Sequence, residues 1–168
     1  MQLISSCSFL LGLYVASNFI KEREYRHIFF LANLVHLVYL SLQLLFSLRI
    51  NLQYNIPDLV MISLMAFFSY FSKSFMIMSG PVMFMKLSPH HVEASTFALY
   101  AGIYHFSVEF ARDIIGSFIA RKMNVTNQNL KDYYILVTIS LACALVAFIY
   151  VFLVPKRVDV DRLAKQFR

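Results

Sequence analysis

The sequence predicts an all-helical membrane protein, a bundle of five transmembrane helices that forms one domain over residues 1–168. Of its 168 residues, 60% belong to the hydrophobic set AVILMFWYC and only 14% are charged. A soluble domain is typically about 45–50% apolar and about 25% charged, and one of this length could not bury so much apolar surface. The apolar residues form five runs, each long enough for the roughly 20-residue helix that crosses a bilayer. These observations argue against a soluble, disordered or disulfide-stapled protein.

The five apolar runs define the predicted spans in chain order. They cover residues 2–20, 28–48, 58–85, 94–120 and 133–154, and a basic tail follows over 155–168. The first, second and fifth runs contain no Asp, Glu, Lys or Arg. No basic segment precedes the first run, which favours a membrane helix there over a cleaved signal peptide. Strands of a membrane barrel are about ten residues long and alternate polar and apolar side chains, so these longer runs predict helices.

Lys73 lies halfway along the third predicted span. An ionisable side chain at this depth costs about 2.5–3.5 kcal/mol on insertion scales and is a candidate for function. Two interpretations, which are compatible with each other, remain open. Lys73 pairs with a carboxylate of a neighbouring helix, for which Glu109 is the obvious partner, or it anchors an anionic substrate.

The fourth predicted span carries a polar stripe, a set of residues spaced by 4, 3, 4, 3 and 4 that a helix places on one face. The stripe consists of Ala98, Gly102, His105, Glu109, Arg112 and Gly116, with Asp113 beside it. We expect this face to point into the bundle or into a water-filled path. Three interpretations remain: an internal ion pair of Arg112 with Glu109 or Asp113, a role in handling substrate or protons, or an Arg112 that reaches the outer interface.

The distribution of basic residues predicts the orientation of the chain. Nine Lys and Arg residues fall in 21–27, 86–93 and the tail, against four in 49–57 and 121–132. The positive-inside rule therefore places the C-terminus in the cytoplasm, and the glycosylation candidate Asn124 falls on the outer side. Because the basic residues lie between apolar runs, the net charge of +6 indicates a bilayer as partner and not a nucleic acid. The five histidines lack ligand spacing, so we expect no metal and no cofactor.

Residues 89–99, PHHVEASTFAL, resemble the signature of the folate–biopterin transporter family, a branch of the major facilitator superfamily. The matching residues are Pro89, Val92, Glu93, Ala94, Phe97, Ala98 and Leu99. Ser95 stands where the family usually has Thr, and His91 replaces the usual Gly, so the chain resembles a divergent relative. In the family this signature precedes the eleventh of twelve helices. The resemblance therefore implies that the five spans correspond to helices 8–12, the C-terminal portion of a major facilitator fold.

The resemblance implies a secondary active transporter of folate, pterin or other small anionic metabolites, coupled to protons. Its site would lie near the midplane between two halves, and the partner of this portion would be the missing N-terminal helices or a second copy. Lys73, His105, Glu109, Arg112 and Asp113 are the candidate residues for substrate and protons. The alternative is a truncated, non-transporting membrane protein such as a helper subunit or scaffold. An enzyme is disfavoured because the sequence contains no nucleophile elbow and no metal constellation.

Overall fold

A computed structural model describes residues 2–88, 91–123, 125, 130 and 132–166, and in these ranges the chain is helical without strands. The elements are α1 (Gln2–Glu22), α2 (Tyr25–Ser47), α3 (Ile50–Gln53), α4 (Asp58–Leu87), α5 (Glu93–Glu109), a π-helix (Phe110–Gly116), α6 (Ser117–Lys122), α7 (Tyr133–Val151) and α8 (Arg157–Gln166). Within the described ranges, four helices are long and apolar enough to cross a membrane, namely α1, α2, α4 and α7. The predicted class, an all-helical membrane bundle, is confirmed.

The fourth predicted span, residues 94–120, differs from the regular helix that its spacing predicts. Residues 93–122 are helical without a break, but the α-helical part ends at Glu109 after 17 residues. A seven-residue π-helix follows, in which the hydrogen bonds run from i to i+5. The α-helical part alone is roughly 26 Å long, short of the roughly 30 Å of hydrocarbon. The charged residues Arg112 and Asp113 thus lie where the α-helical hydrogen-bonding pattern is interrupted.

Helix α4 is the centre of the bundle and packs along both α1 and α2, while α7 packs against α2. Phe75 of α4 is fully buried in a core with Ala16, Ile20 and Ile28. Apolar burial gives little driving force between helices in lipid, so close packing and polar contacts must hold them together. The α1–α4 interface has such a polar contact, because Ser8 of α1 donates a hydrogen bond of 2.6 Å to the Phe67 carbonyl of α4.

The sequence analysis predicts only that the tail is basic. In the structure, its residues Arg157–Gln166 form the amphipathic helix α8, which packs against one end of the bundle. Val160 is fully buried there. The backbone N–H of Arg157 donates to Glu24 Oε2 at 2.8 Å, and its Nη1 donates to the Lys21 carbonyl at 2.8 Å. Lys86, at the end of α4, pairs with Asp161 at 3.4 Å. The described residues of 21–27 and 86–93 therefore share one end of the bundle with α8.

At the opposite end, a compact turn joins α2 to α4. Arg49 adopts a left-handed conformation with φ of 57° and pairs with Asp58 at 3.1 Å. The buried Asn51 donates to the same carboxylate at 2.6 Å. These bonds to the first residue of α4 fix where that helix begins.

Candidate functional site

Lys73 lies on an exposed part of α4 and lines a cleft between α4 and α1. We call this the Lys73 cleft. It encloses about 580 Å³ and is lined by Gln2, Ser5, Ser6, Phe9, Tyr70, Lys73 and Ile77. Two of the seven are aromatic, four carry amide or hydroxyl groups, and Lys73 supplies the positive charge. Such a cleft suits an anion that also carries apolar surface.

The expected ion pair between Lys73 and Glu109 is not formed. The ion pairs within the described part of the chain involve other residues, so Lys73 has no carboxylate partner there. Helix α5 meets α4 near the end of α4, where the Tyr100 hydroxyl lies against Gly80 and its ring lies 4.6 Å from that of Phe84. The positive charge of Lys73 therefore remains available in the cleft.

The polar stripe of α5 is exposed, in contrast to the expectation that the bundle covers it. Gly102 has no described atom within 4 Å of an added Cβ, and His105 and Glu109 are both exposed. The reason is geometric. Tyr100 and Tyr104 form the packed side of α5, and Gly102 lies roughly 200° around the helix from Tyr100 at 3.6 residues per turn. The stripe thus occupies the side of α5 that faces away from α4.

Arg112 and Asp113 form one of the two alternative ion pairs within the stripe. Arg112 Nε lies 2.9 Å from Asp113 Oδ1, and both side chains are more than half exposed. Glu109 has no ion pair among the described residues. The His105 ring lies edge-on to Tyr104, with 5.6 Å between ring centroids. The structure therefore places His105 and Glu109 together on the exposed face of α5. This face is separate from the Lys73 cleft.

A second pocket, largely apolar but with several polar side chains and not predicted from the sequence, lies between α2, α4 and α7. We call it the Gln43 pocket. The Gln43 amide of α2 donates a hydrogen bond to the Tyr133 hydroxyl of α7, and Tyr39 and Ser69 also line the space of about 280 Å³. The signal in the sequence was the group of polar residues in the second apolar run, but only packing shows that Gln43 meets Tyr133. Tyr70 lines both this pocket and the Lys73 cleft.

Most of the signature stretch begins α5. Val92 is the residue before the helix, its carbonyl accepts a hydrogen bond from the Thr96 hydroxyl at 3.0 Å, and Glu93 opens the first turn. A carboxylate there is favoured by the positive end of the helix dipole. The signature residues Ala94, Phe97, Ala98 and Leu99 are exposed on α5. Pro89 and the glycosylation candidate Asn124 lie outside the described residues.

Comparison with known proteins agrees with the signature. No curated protein and no solved structure shows a significant match to the chain. A family model described as the BT1 family matches residues 1–167, nearly the whole sequence. Because the match covers all the helices described above, the resemblance extends far beyond the eleven residues of the signature. The chain therefore belongs to the BT1 family of folate–biopterin-type membrane transporters.

Proposed function

We propose that the chain supplies the C-terminal helices of a secondary active transporter that moves a folate-like, pterin-like or other small anionic solute, coupled to protons. Membership of the BT1 family supports transport of the folate–biopterin type. The observation that carries the proposal is Lys73, whose charge lines an open cleft and has no carboxylate partner in the described chain.

Lys73 serves in this proposal as the anchor for the solute's negative charge. A lysine within a membrane span costs about 2.5–3.5 kcal/mol unless water or a counter-ion compensates for it. An anionic solute supplies that counter-ion, and the interaction strengthens when the cleft excludes water. The hydroxyl of Ser6 and the amide of Gln2 lie along the same cleft and can hydrogen-bond the carboxylate.

The stripe on α5 provides the candidate proton pathway. Asp113 engages Arg112, so Glu109 is the carboxylate of this face left to gain and lose a proton. His105, whose imidazole can accept and donate a proton, lies four residues before it on the same face. Ionisable groups on one exposed face of a span are too costly for lipid contact. This supports the further proposal that additional helices, or a second copy of the chain, cover the stripe in the complete transporter.

We also propose that α8 lies on the cytoplasmic side of the membrane. The support is twofold. The basic residues are concentrated in the tail and in the separators at 21–27 and 86–93, as the positive-inside rule describes for cytoplasmic segments. The bonds of Arg157 to Lys21 and Glu24, and of Asp161 to Lys86, bring these three regions to one end.

Uptake measurements test the proposal directly. Cells that express the protein in its full-length context should accumulate radiolabelled folate, and Lys73→Ala should reduce uptake at least tenfold, which corresponds to about 1.4 kcal/mol of binding free energy. Glu109→Gln should abolish the response to an imposed pH gradient. Lys122→Ala, which removes the same charge from α6, is the matched control. Full transport by the Lys73→Ala, Glu109→Gln double variant would remove both residues from the mechanism. Uptake no higher than in cells without the protein would favour a non-transporting membrane protein.

A further inference from the structure

We propose that the end of the bundle that carries α8 binds the headgroups of anionic glycerophospholipids. The binding surface consists of the exposed side chains of Lys21, Arg23, Lys156, Val158 and Arg162, and we call it the α8 basic face. The proposal goes beyond the proposed function and does not depend on it, because it concerns the lipids beside the protein and not the solute that crosses the membrane.

Contacts on one side of α8 fix this helix across the end of the bundle. At its start, Arg157 Nη1 donates to the Lys21 carbonyl at the end of α1. One turn later, Asp161 lies 3.4 Å from Lys86 at the end of α4. Because α1 and α4 are long and apolar enough to cross the bilayer, a helix that joins their ends lies near the membrane surface.

The free side of α8 carries an apolar and a basic side chain. At 100° per residue, Val158 and Arg162 each lie about 160° around the helix from the fully buried Val160. Val158 is 70% exposed, and Arg162 is also exposed. Just before α8, Phe152 and Leu153 are largely exposed. Exposed apolar and basic side chains together are typical of a helix that lies between acyl chains and headgroups.

The cations of the α8 basic face are free to meet a lipid phosphate. Lys21, Arg23, Lys156 and Arg162 take part in none of the ion pairs within the part of the chain that the structure describes. Each basic residue near an anionic membrane surface strengthens binding about fivefold. Four such residues at one end of the bundle therefore favour an anionic lipid over a zwitterionic one.

The neighbouring carboxylates do not cancel this charge. Glu24 accepts the hydrogen bond from the Arg157 backbone N–H at 2.8 Å, and Asp161 pairs with Lys86. Asp159 is exposed and forms no ion pair among the described residues. The four free cations therefore outnumber the single exposed carboxylate of α8, and the surface complements a negatively charged headgroup.

Quenching of a label on α8 measures which lipid lies beside it. With Cys7 and Cys143 replaced by Ser, a bimane fluorophore is attached at Val158→Cys, and the full chain is reconstituted in phosphatidylcholine nanodiscs. Trace phosphatidylglycerol or phosphatidylcholine carries a nitroxide near the top of its acyl chain, which quenches bimane on contact. Phosphatidylglycerol should quench about fivefold more efficiently, and the ratio should fall as salt is raised. Bimane at Leu145→Cys, on the exposed surface of α7, should be quenched equally by both lipids.

Substitutions in the Val158→Cys background locate the binding surface. Lys156→Gln combined with Arg162→Gln should lower the quenching ratio by roughly half or more, whereas Lys156→Arg combined with Arg162→Lys should preserve it. The matched control, Arg121→Gln with Lys122→Gln, removes the same charge from α6 and should leave the ratio unchanged.

Three results would overturn the proposal. Equal quenching by the two lipids at position 158 would show that the surface does not select an anionic headgroup. No quenching by either lipid would show that α8 does not touch the bilayer. An equal loss in the Lys156, Arg162 variant and in the Arg121, Lys122 control would show that net charge, and not the α8 basic face, attracts the lipid.

Discussion

Replacement of Gly12 by Ala tests whether α1 and α4 pack as closely as the structure shows. Gly12 faces Ser74 across this interface, and an added Cβ would overlap the Ser74 hydroxyl and lie 3.1 Å from the Phe71 carbonyl oxygen. Ser74 is fully buried, and its hydroxyl donates to that same carbonyl at 2.6 Å. The hydroxyl cannot move aside without losing this hydrogen bond, so either the bond breaks or the helices separate.

The expected cost follows from the contacts that change. Overpacking by one methyl group typically costs about 1–3 kcal/mol, and a buried hydroxyl left without a partner costs about 1–3 kcal/mol. Because the helices relieve the overlap either by separating or by breaking the hydrogen bond, the two costs are alternatives. We therefore expect Gly12→Ala to lower the free energy of unfolding by about 2 kcal/mol. It should also reshape the Lys73 cleft, which lies between the same two helices.

The assay is reversible unfolding of the reconstituted protein in mixed micelles, followed by circular dichroism. Gly102→Ala is the matched control, because an added Cβ there meets no described atom within 4 Å, and its stability should equal or exceed that of the wild type. Adding Ser74→Gly to Gly12→Ala should recover part of the loss, since it removes the atoms in conflict. A Gly12→Ala protein as stable as the wild type would refute the close packing of α1 on α4.

Three further variants probe other parts of the bundle. Val160→Asp should release α8 and speed tryptic cleavage of the tail, because it places a carboxylate in a fully buried site, whereas Val158→Asp, at a position 70% exposed, should leave cleavage unchanged. Phe75→Ala should destabilise the bundle by roughly 2 kcal/mol in the same unfolding assay, less than the about 3–5 kcal/mol of a soluble core, because lipid already solvates apolar side chains. Phe152→Ala, at a largely exposed position, is its control. Arg49→Ala should cost less than about 1 kcal/mol, because its ion pair is exposed.

The helical class and four of the spans could be predicted from the sequence because the bilayer imposes a simple requirement. Uninterrupted apolar runs of about 20 residues must become helices in lipid, and α1, α2, α4 and α7 meet this condition. The same requirement does not specify how helices pack. The spacing of His105 and Glu109 correctly places them on one face of α5, but the side of α5 that packs depends on Tyr100 finding Gly80.

The parts that could not be predicted depend on contacts between distant residues. Helix α8 is only ten residues long, too short to be stable alone in water, and it is held by bonds from Arg157 to Glu24 and Lys21. Likewise, the sequence shows Gln43 only as a polar residue within an apolar run. Its hydrogen bond to Tyr133 depends on the packing of α7 against α2. The π-helix also could not be predicted from the sequence, because its hydrogen-bonding pattern has no signature in the spacing of apolar residues.

Thiol labelling of the Lys73 cleft tests most directly whether it is a water-filled solute site. With the exposed Cys7 and Cys143 replaced by Ser, a single cysteine is introduced as Ser6→Cys, in the cleft, or as Leu145→Cys, on the exposed apolar surface of α7. A charged, membrane-impermeant thiol reagent should modify the first variant and not the second, and folate should slow that reaction at least tenfold. Labelling of Ser6→Cys that folate does not slow, or no labelling at all, would contradict the central claim.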